Sequence, residues 1–178
     1  APYLEAIAAK DKNGKPCCTY IGKGGSGHYI KMIHNGIEYA EMQLLAEVYA
    51  LLRYTNELTP TAISEILMEW NDGELSSYLL EITYKLLTKK EGEHYMVDII
   101  LDQAGNKGTG SWTTISMAEL GIPATMISSA LFARYISTFK EKRTELSSQF
   151  SCLIQHKTKV EIADLKAAYK SARLVNHQ

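Results

Sequence analysis

The placement of the chain breakers constrains the fold more than any other feature. Four prolines and twelve glycines gather in a few places, and the stretches between them are long. Residues 11–27, with Asp11, Asn13, Gly14, Pro16, Gly22, Gly24, Gly25 and Gly27, read as a loop. His28 to about Asn56 then runs with Gly36 as its one weak link. Ile30, Ile33, Ile37, Leu44, Leu45, Val48, Leu51 and Leu52 recur there with the 3.6-residue period of an amphipathic helix. A glycine in such a helix costs about 1 kcal/mol against alanine. Gly36 therefore predicts close backbone packing or a ligand.

The same period continues down the chain. Pro60 suits a first helical turn, and a helix follows to Gly73. ELSSYLLEITYKLLTK is the next helix, closed by Gly92. HYMVDIILDQAGN is strand or helix by period, and its helical surroundings favour a helical turn. GNKGTGSW at 105–112 is a second glycine-rich loop, leading into the helix TTISMAEL, which Gly121 and Pro123 stop. ATMISSALFARYISTFKEKRTELSS reads as one long helix, and 158–178 as a last one. No segment is bounded as a strand should be, so the expected fold class is all-α, a helical bundle or array. The last helix runs into Gln178 without a stop signal, which points to a longer polypeptide.

Composition narrows the function. A length of 178 residues suits one domain, residues 1–178, and 46% hydrophobic with 22% charged residues suits a soluble core. A net charge of −1 argues against an electrostatic nucleic-acid binder. No apolar run is long enough to span a membrane, and the first residues lack the pattern of a signal peptide. Three cysteines, with Cys17 and Cys18 adjacent, fit reduced thiols in the cytoplasm better than a disulfide framework. No paired Cys/His spacing suggests a metal.

The chemistry-bearing residues fall in two places. On the first long helix, Lys31 and Glu38 lie seven residues apart, within about 20° around the axis and about 10 Å along it, with Asn35 about 40° from Lys31. An acid and a base flank a gap that fits a small polar substrate; the plain alternative is a solvated charged face. His34 is a packing residue or part of the same set. In the second place, Lys107, the Thr109 hydroxyl and the free N–H groups before a helix suit an anion, phosphate above all; a glycine-rich turn with an exposed lysine is the alternative. Arg134, inside the apolar run ALFARYIS, wants an anionic partner, a carboxylate or a ligand phosphate. GKGGSGH at 22–28 lacks the strand and βαβ unit of a dinucleotide fingerprint. It reads as a tight lead-in to the helix that lets a ligand or another domain near the backbone.

PCCTYIG, GGSGHYIKMIHNGIEYAEMQLLAE, ILDQAGNKGTGSWTTISMAELGIP and ALFARYIS, in this order and spacing, closely resemble the decarboxylating 6-phosphogluconate dehydrogenases. The resemblance covers most of residues 1–145, and DLKAAYKSARLVNHQ loosely resembles the start of that family's second helical half. It implies that the chain is the first half of an all-helical C-terminal domain, with an N-terminal Rossmann domain and a C-terminal tail outside it. It also implies a homodimeric cytoplasmic enzyme of the pentose phosphate pathway that uses NADP and turns 6-phosphogluconate into ribulose 5-phosphate and CO2.

By resemblance, Lys31 is the general base at C3 and then the acid in decarboxylation, and Glu38 protonates the enediol. His34, Asn35 and Tyr39 match substrate contacts, Lys107, Thr109 and Arg134 match the phosphate side, and Gly24, Gly25 and Gly27 match a loop near the nicotinamide. Ser111 and Ser129 depart from the family's usual lysine and glutamate, at positions outside the catalytic set. The piece alone is expected to be inactive. The competing expectation is a non-catalytic dimerisation or anion-binding module of the same fold.

Overall fold

A computed structural model describes residues 2–150 and 158–178. Cys152, the third cysteine, lies outside the described residues; Cys17 and Cys18 are free. A short helix α1 (Pro2–Ile7) precedes the glycine-rich segment, and α2 (Ser26–Ala50) starts within two residues of its expected place. Then come α3 (Pro60–Asn71) and α4 (Tyr78–Leu87). Both have side-chain caps: Thr59 accepts from the Ala62 N–H, and Ser77 from the Leu80 N–H, each at 3.2 Å. With Pro60 at the first position, α3 has both of the start signals its sequence advertises.

Helix α2 is the axle. Its C-terminal half contributes Leu45 and Val48, joined by Leu52 just beyond, to a core shared with α3, α4 and α9 (Ile162–Asn176). Trp70 of α3 stacks on Tyr169 of α9 with ring centroids 5.9 Å apart. The middle of α2 supplies Tyr39 and Ala40 to a second cluster with Ile127, Ala130 and Leu131 of α7 (Thr125–Thr138). Helix α6 (Thr109–Leu120) crosses α2 at Gly36, where an added Cβ would stand 2.7 Å from Thr113 Cγ2. Of the two alternatives at Gly36, the structure chooses close packing. Thr113 is fully buried, and its hydroxyl donates to the Met32 carbonyl at 2.9 Å.

The fold is all-α; two helices start elsewhere than expected, α4 at Tyr78 and not Glu74, and α6 at Thr109, inside the segment read as loop, and three larger departures stand beside them. First, α2 ends at Ala50 and continues as a π-helical turn, Leu51–Thr55, in which the Asn56 N–H reaches back to the Leu51 carbonyl. Asn56 is held there from outside: its side chain both donates to and accepts from the Val160 backbone at 2.8 Å. Second, residues 90–95 form a small antiparallel hairpin. β1 (Lys90–Glu91) pairs with β2 (His94–Tyr95), and only then does a helical turn α5 (Met96–Ile99) follow. Gly92 has φ +58°, which a two-residue hairpin turn needs at its first position. Gly92 is thus a turn residue, and His94–Tyr95 is strand, not helix.

Third, the long helix expected over 124–148 is two helices, α7 and α8 (Lys140–Phe150), broken at Phe139 (ψ 49°). The break is made by tertiary contacts. Arg143 turns back to donate to the carbonyls of Ser137 (3.0 Å) and Asp102 (2.9 Å). Asp102 in turn accepts from Lys140 and Arg143. Among the described residues, no helix is long and apolar enough to cross a membrane.

Candidate active site

The polar face of α2 forms as its spacing predicts. Lys31 Nζ donates to Asn35 Oδ1 at 2.6 Å and lies 3.1 Å from His34 Nδ1. Glu38 Oε2 is 3.9 Å from Lys31 Nζ and 3.4 Å from His34 Nδ1. His34 is 57% exposed and touches both Lys31 and Glu38, so it is not a packing residue. The Lys31 side chain is 63% exposed and that of Glu38 36% exposed, so this face is open to solvent along one side. Only one flank of the apolar stripe is covered there: α6 meets the first turns of α2 at Tyr29, whose hydroxyl lies 2.6 Å from Ser116 Oγ, and at the Met32 carbonyl, while Lys31 and His34 stay exposed. Ile30, counted in that stripe from its period, is half exposed.

The glycine-rich loop before α6 is brought to the same helix. Tyr39, next to Glu38, is buried and packs its ring against Gly110, where an added Cβ would come within 2.6 Å of the ring. The Tyr39 hydroxyl donates to Asn106 Oδ1 at 3.3 Å. Lys107 is exposed and Thr109 half-buried, and they flank Gly108, whose φ of +103° belongs to the left-handed region that glycine tolerates. Thr109 opens α6, so its N–H and the next ones have no carbonyl within the helix to bind. A cationic side chain, a hydroxyl and helix N-terminal N–H groups thus follow one another in the chain here, a set that suits a phosphate.

Arg134 has partners of another kind than the two anticipated. Its guanidinium stacks over the Tyr39 ring at 3.7 Å and donates to the Gly105 carbonyl at 2.7 Å. Aromatic and carbonyl contacts hold the charge in place without a neutralising carboxylate, which leaves it available to an anion. Gly24 and Gly25 precede α2, and Gly27 lies inside its first turn rather than in the loop. Nothing stands within 4 Å of a Cβ added at any of the three. Within the helix, Gly27 lies about 6 Å along the axis from Lys31.

Asn106 and Tyr135 were not singled out from the sequence. Asn106 Oδ1 also accepts the Gly108 N–H at 3.0 Å, and Asn106 Nδ2 donates to the Tyr135 hydroxyl at 3.2 Å. An Asn two residues before a glycine was the available signal, since asparagine side chains cap the backbone two residues on.

The chain is similar to known proteins. Residues 27–178 match the family described as 6-phosphogluconate dehydrogenase, C-terminal domain. A decarboxylating 6-phosphogluconate dehydrogenase of Lactococcus lactis subsp. lactis (strain IL1403) is 54% identical over 154 residues, covering 85% of this chain and 33% of the relative. That of Escherichia coli (strain K12) is 52% identical over 152 residues, with 85% and 32% covered. The solved Plasmodium falciparum 6-phosphogluconate dehydrogenase, described in its apo form and with NADP+ and 6-phosphogluconate, superposes with a TM-score of 0.88 at 40% identity. The superposition covers 99% of this chain and 39% of that one. The chain spans about a third of the length of the curated relatives it matches. The chain belongs to the 6-phosphogluconate dehydrogenase family, as part of its C-terminal helical domain.

Proposed function

We propose that the chain supplies the acid–base face and the phosphate loop of an NADP-dependent, decarboxylating 6-phosphogluconate dehydrogenase that yields ribulose 5-phosphate and CO2. The observation that carries this is the Lys31–His34–Glu38 cluster, one residue from the Tyr39 contact that seats the Lys107–Thr109 loop. Lys31 takes the proton of the C3 hydroxyl and later returns one to the carbonyl oxygen as the carboxylate leaves. Glu38 then delivers a proton to the enediol carbon while Lys31 takes the hydroxyl proton back, which leaves the ketone. Both roles need the reverse of the resting charges: a neutral lysine and a protonated glutamate.

Moving one proton from Lys31 to Glu38 produces both at once with no change in net charge, and His34 Nδ1 lies within 3.4 Å of each as a bridge. Asn35 then fixes a substrate hydroxyl, and Lys107, Thr109 and Arg134 hold the phosphate. NADP, when bound, supplies the hydride acceptor. The bare backbone at Gly24, Gly25 and Gly27 leaves room for its approach, its main binding site being a Rossmann domain elsewhere in the polypeptide.

The same reading makes the whole enzyme a cytoplasmic homodimer. The free thiols Cys17 and Cys18 suit a reducing compartment. The exposed Phe132, Ile136 and Phe139 offer an apolar face for association. The test is a spectrophotometric assay with 6-phosphogluconate and NADP. The full-length dehydrogenase containing this chain turns over, and the 178-residue chain alone does not, having lost the positioning of the reacting carbon. Turnover by the pure chain, or none by the full-length protein, defeats the proposal.

A further inference from the structure

We propose that Asn106 is a positioning residue for the phosphate loop, acting through Lys107 and Thr109; the substrate it serves rests on the reading above. Three bonds from this one side chain tie together three parts of the fold. Oδ1 receives the Gly108 N–H (3.0 Å) and the Tyr39 hydroxyl of α2 (3.3 Å), and Nδ2 reaches the Tyr135 hydroxyl of α7 (3.2 Å). Arg134, beside Tyr135, stacks on the Tyr39 ring at 3.7 Å and binds the Gly105 carbonyl at 2.7 Å, which closes the ring of contacts. The loop is thus pinned on both sides of Lys107, whose side chain is exposed.

The physical consequence concerns binding. A loop already held in its bound shape loses less conformational freedom when an anion arrives. The phosphate is remote from the reacting carbons, so its contacts are alike in ground and transition states, and loosening them raises KM with little effect on kcat. Asn106 touches neither the acid nor the base, so it acts on substrate capture alone.

The test uses the full-length dehydrogenase. Asn106→Ala is expected to raise KM for 6-phosphogluconate about tenfold, the scale of one or two lost hydrogen bonds. It leaves KM for NADP unchanged and kcat within about twofold. Asn106→Ser keeps a short acceptor for the Gly108 N–H and recovers most of the loss. Tyr135→Phe, which removes one bond, shifts KM by about threefold. In a background already carrying Lys107→Ala and Thr109→Val, Asn106→Ala adds less than its own effect.

An unchanged KM in Asn106→Ala, a matching fall in kcat, or full multiplication with the Lys107/Thr109 background overturns the proposal. Amide hydrogen exchange at Gly108 gives a second readout that does not depend on the reaction. Exchange should accelerate in Asn106→Ala and slow again in Asn106→Ser, and unchanged exchange overturns the positioning role whatever the substrate. Failure of the catalytic reading shows elsewhere: in an inactive wild-type enzyme, or in a Lys107→Ala, Thr109→Val background whose KM does not move.

Discussion

At the scale of single residues, the proposed division of proton transfer rests on Lys31 and Glu38, whose charged atoms lie 3.9 Å apart on α2. Lys31→Met removes a group used in two steps. The loss of turnover in the full-length enzyme is expected to exceed the roughly 10²–10⁴-fold that a single acid–base group provides. Glu38→Gln leaves the oxidation and decarboxylation steps in place and slows protonation of the enediol. The two variants therefore separate in hydride exchange with an added 3-keto intermediate, which the Glu38 variant supports far better. Equal loss of that exchange in both would mean that the two side chains do not divide the work. Near-normal turnover in Lys31→Met would remove this face from the mechanism.

At the scale of elements, helix crossings and clasps hold the site's parts in place. Gly36 lets α6 lie against α2, and α6 carries the phosphate loop at its start. Gly36→Ala improves helix propensity by about 1 kcal/mol, yet forces a methyl group to 2.7 Å from Thr113 Cγ2. The expected net effect is a destabilisation of about 1–3 kcal/mol, as for other overpacked sites, read from urea unfolding. A neutral or stabilising result would show that the crossing has slack.

The Asp102 clasp sets the α7–α8 bend in a pH-dependent way. Hydrogen bonds from Lys140 and then Arg143 hold the Asp102 carboxyl down to about 2, from an ordinary value of 3.8. A depressed carboxylate contributes its stabilisation above its unfolded value and loses it as the pH falls through the folded one. Amides at the start of α8 should therefore keep their exchange protection at pH 5 and lose it between about pH 4 and 2. Because the carboxylate is half exposed, the effect should shrink in high salt. Protection that is already lost near pH 5 would exclude Asp102 as the clasp.

At the scale of the whole molecule, α9 is docked by buried polar groups that an apolar period does not reveal. Glu41 of α2 is buried; Arg173 Nε lies 2.5 Å from its Oε1, and the Tyr169 hydroxyl donates to the same oxygen at 3.1 Å. Arg173 also donates to the Leu75 carbonyl at 2.7 Å, and Asn176 to the Ile37 carbonyl at 3.1 Å. Burial, and then the Glu41 charge, push the Tyr169 hydroxyl far above its ordinary range, so it stays a donor. Glu41→Ala leaves the arginine charge buried without its counter-ion, a loss of about 3–5 kcal/mol by chemical denaturation. Replacing both partners, Glu41→Leu with Arg173→Leu, should recover most of that loss. If the double variant is no better than the single one, the pair contributes more than charge compensation.

What the sequence determined by itself was local. Helical class, the start of α2, Pro60 at the head of α3 and the angular match of Lys31, Asn35 and Glu38 follow from spacing within a few turns of one helix. The glycine-rich start of α6 was legible for the same reason, because an N-terminal turn carries its own donors wherever the helix lies. The strings around these places also carried the family.

Tertiary structure decided whatever depends on partners distant in the chain. Phe139 is a break because Arg143 and Asp102 meet there, from positions 41 residues apart. Residues 94–95 are the local exception: they are strand because Gly92 turns the chain back onto Lys90 and Glu91. Arg134 rests on Tyr39, and Asn106 joins α2 to α7, through contacts that no periodicity encodes. A helix's period reports which side it buries. The polar atoms it meets there depend on the neighbour that covers that side, and only the folded chain supplies the neighbour.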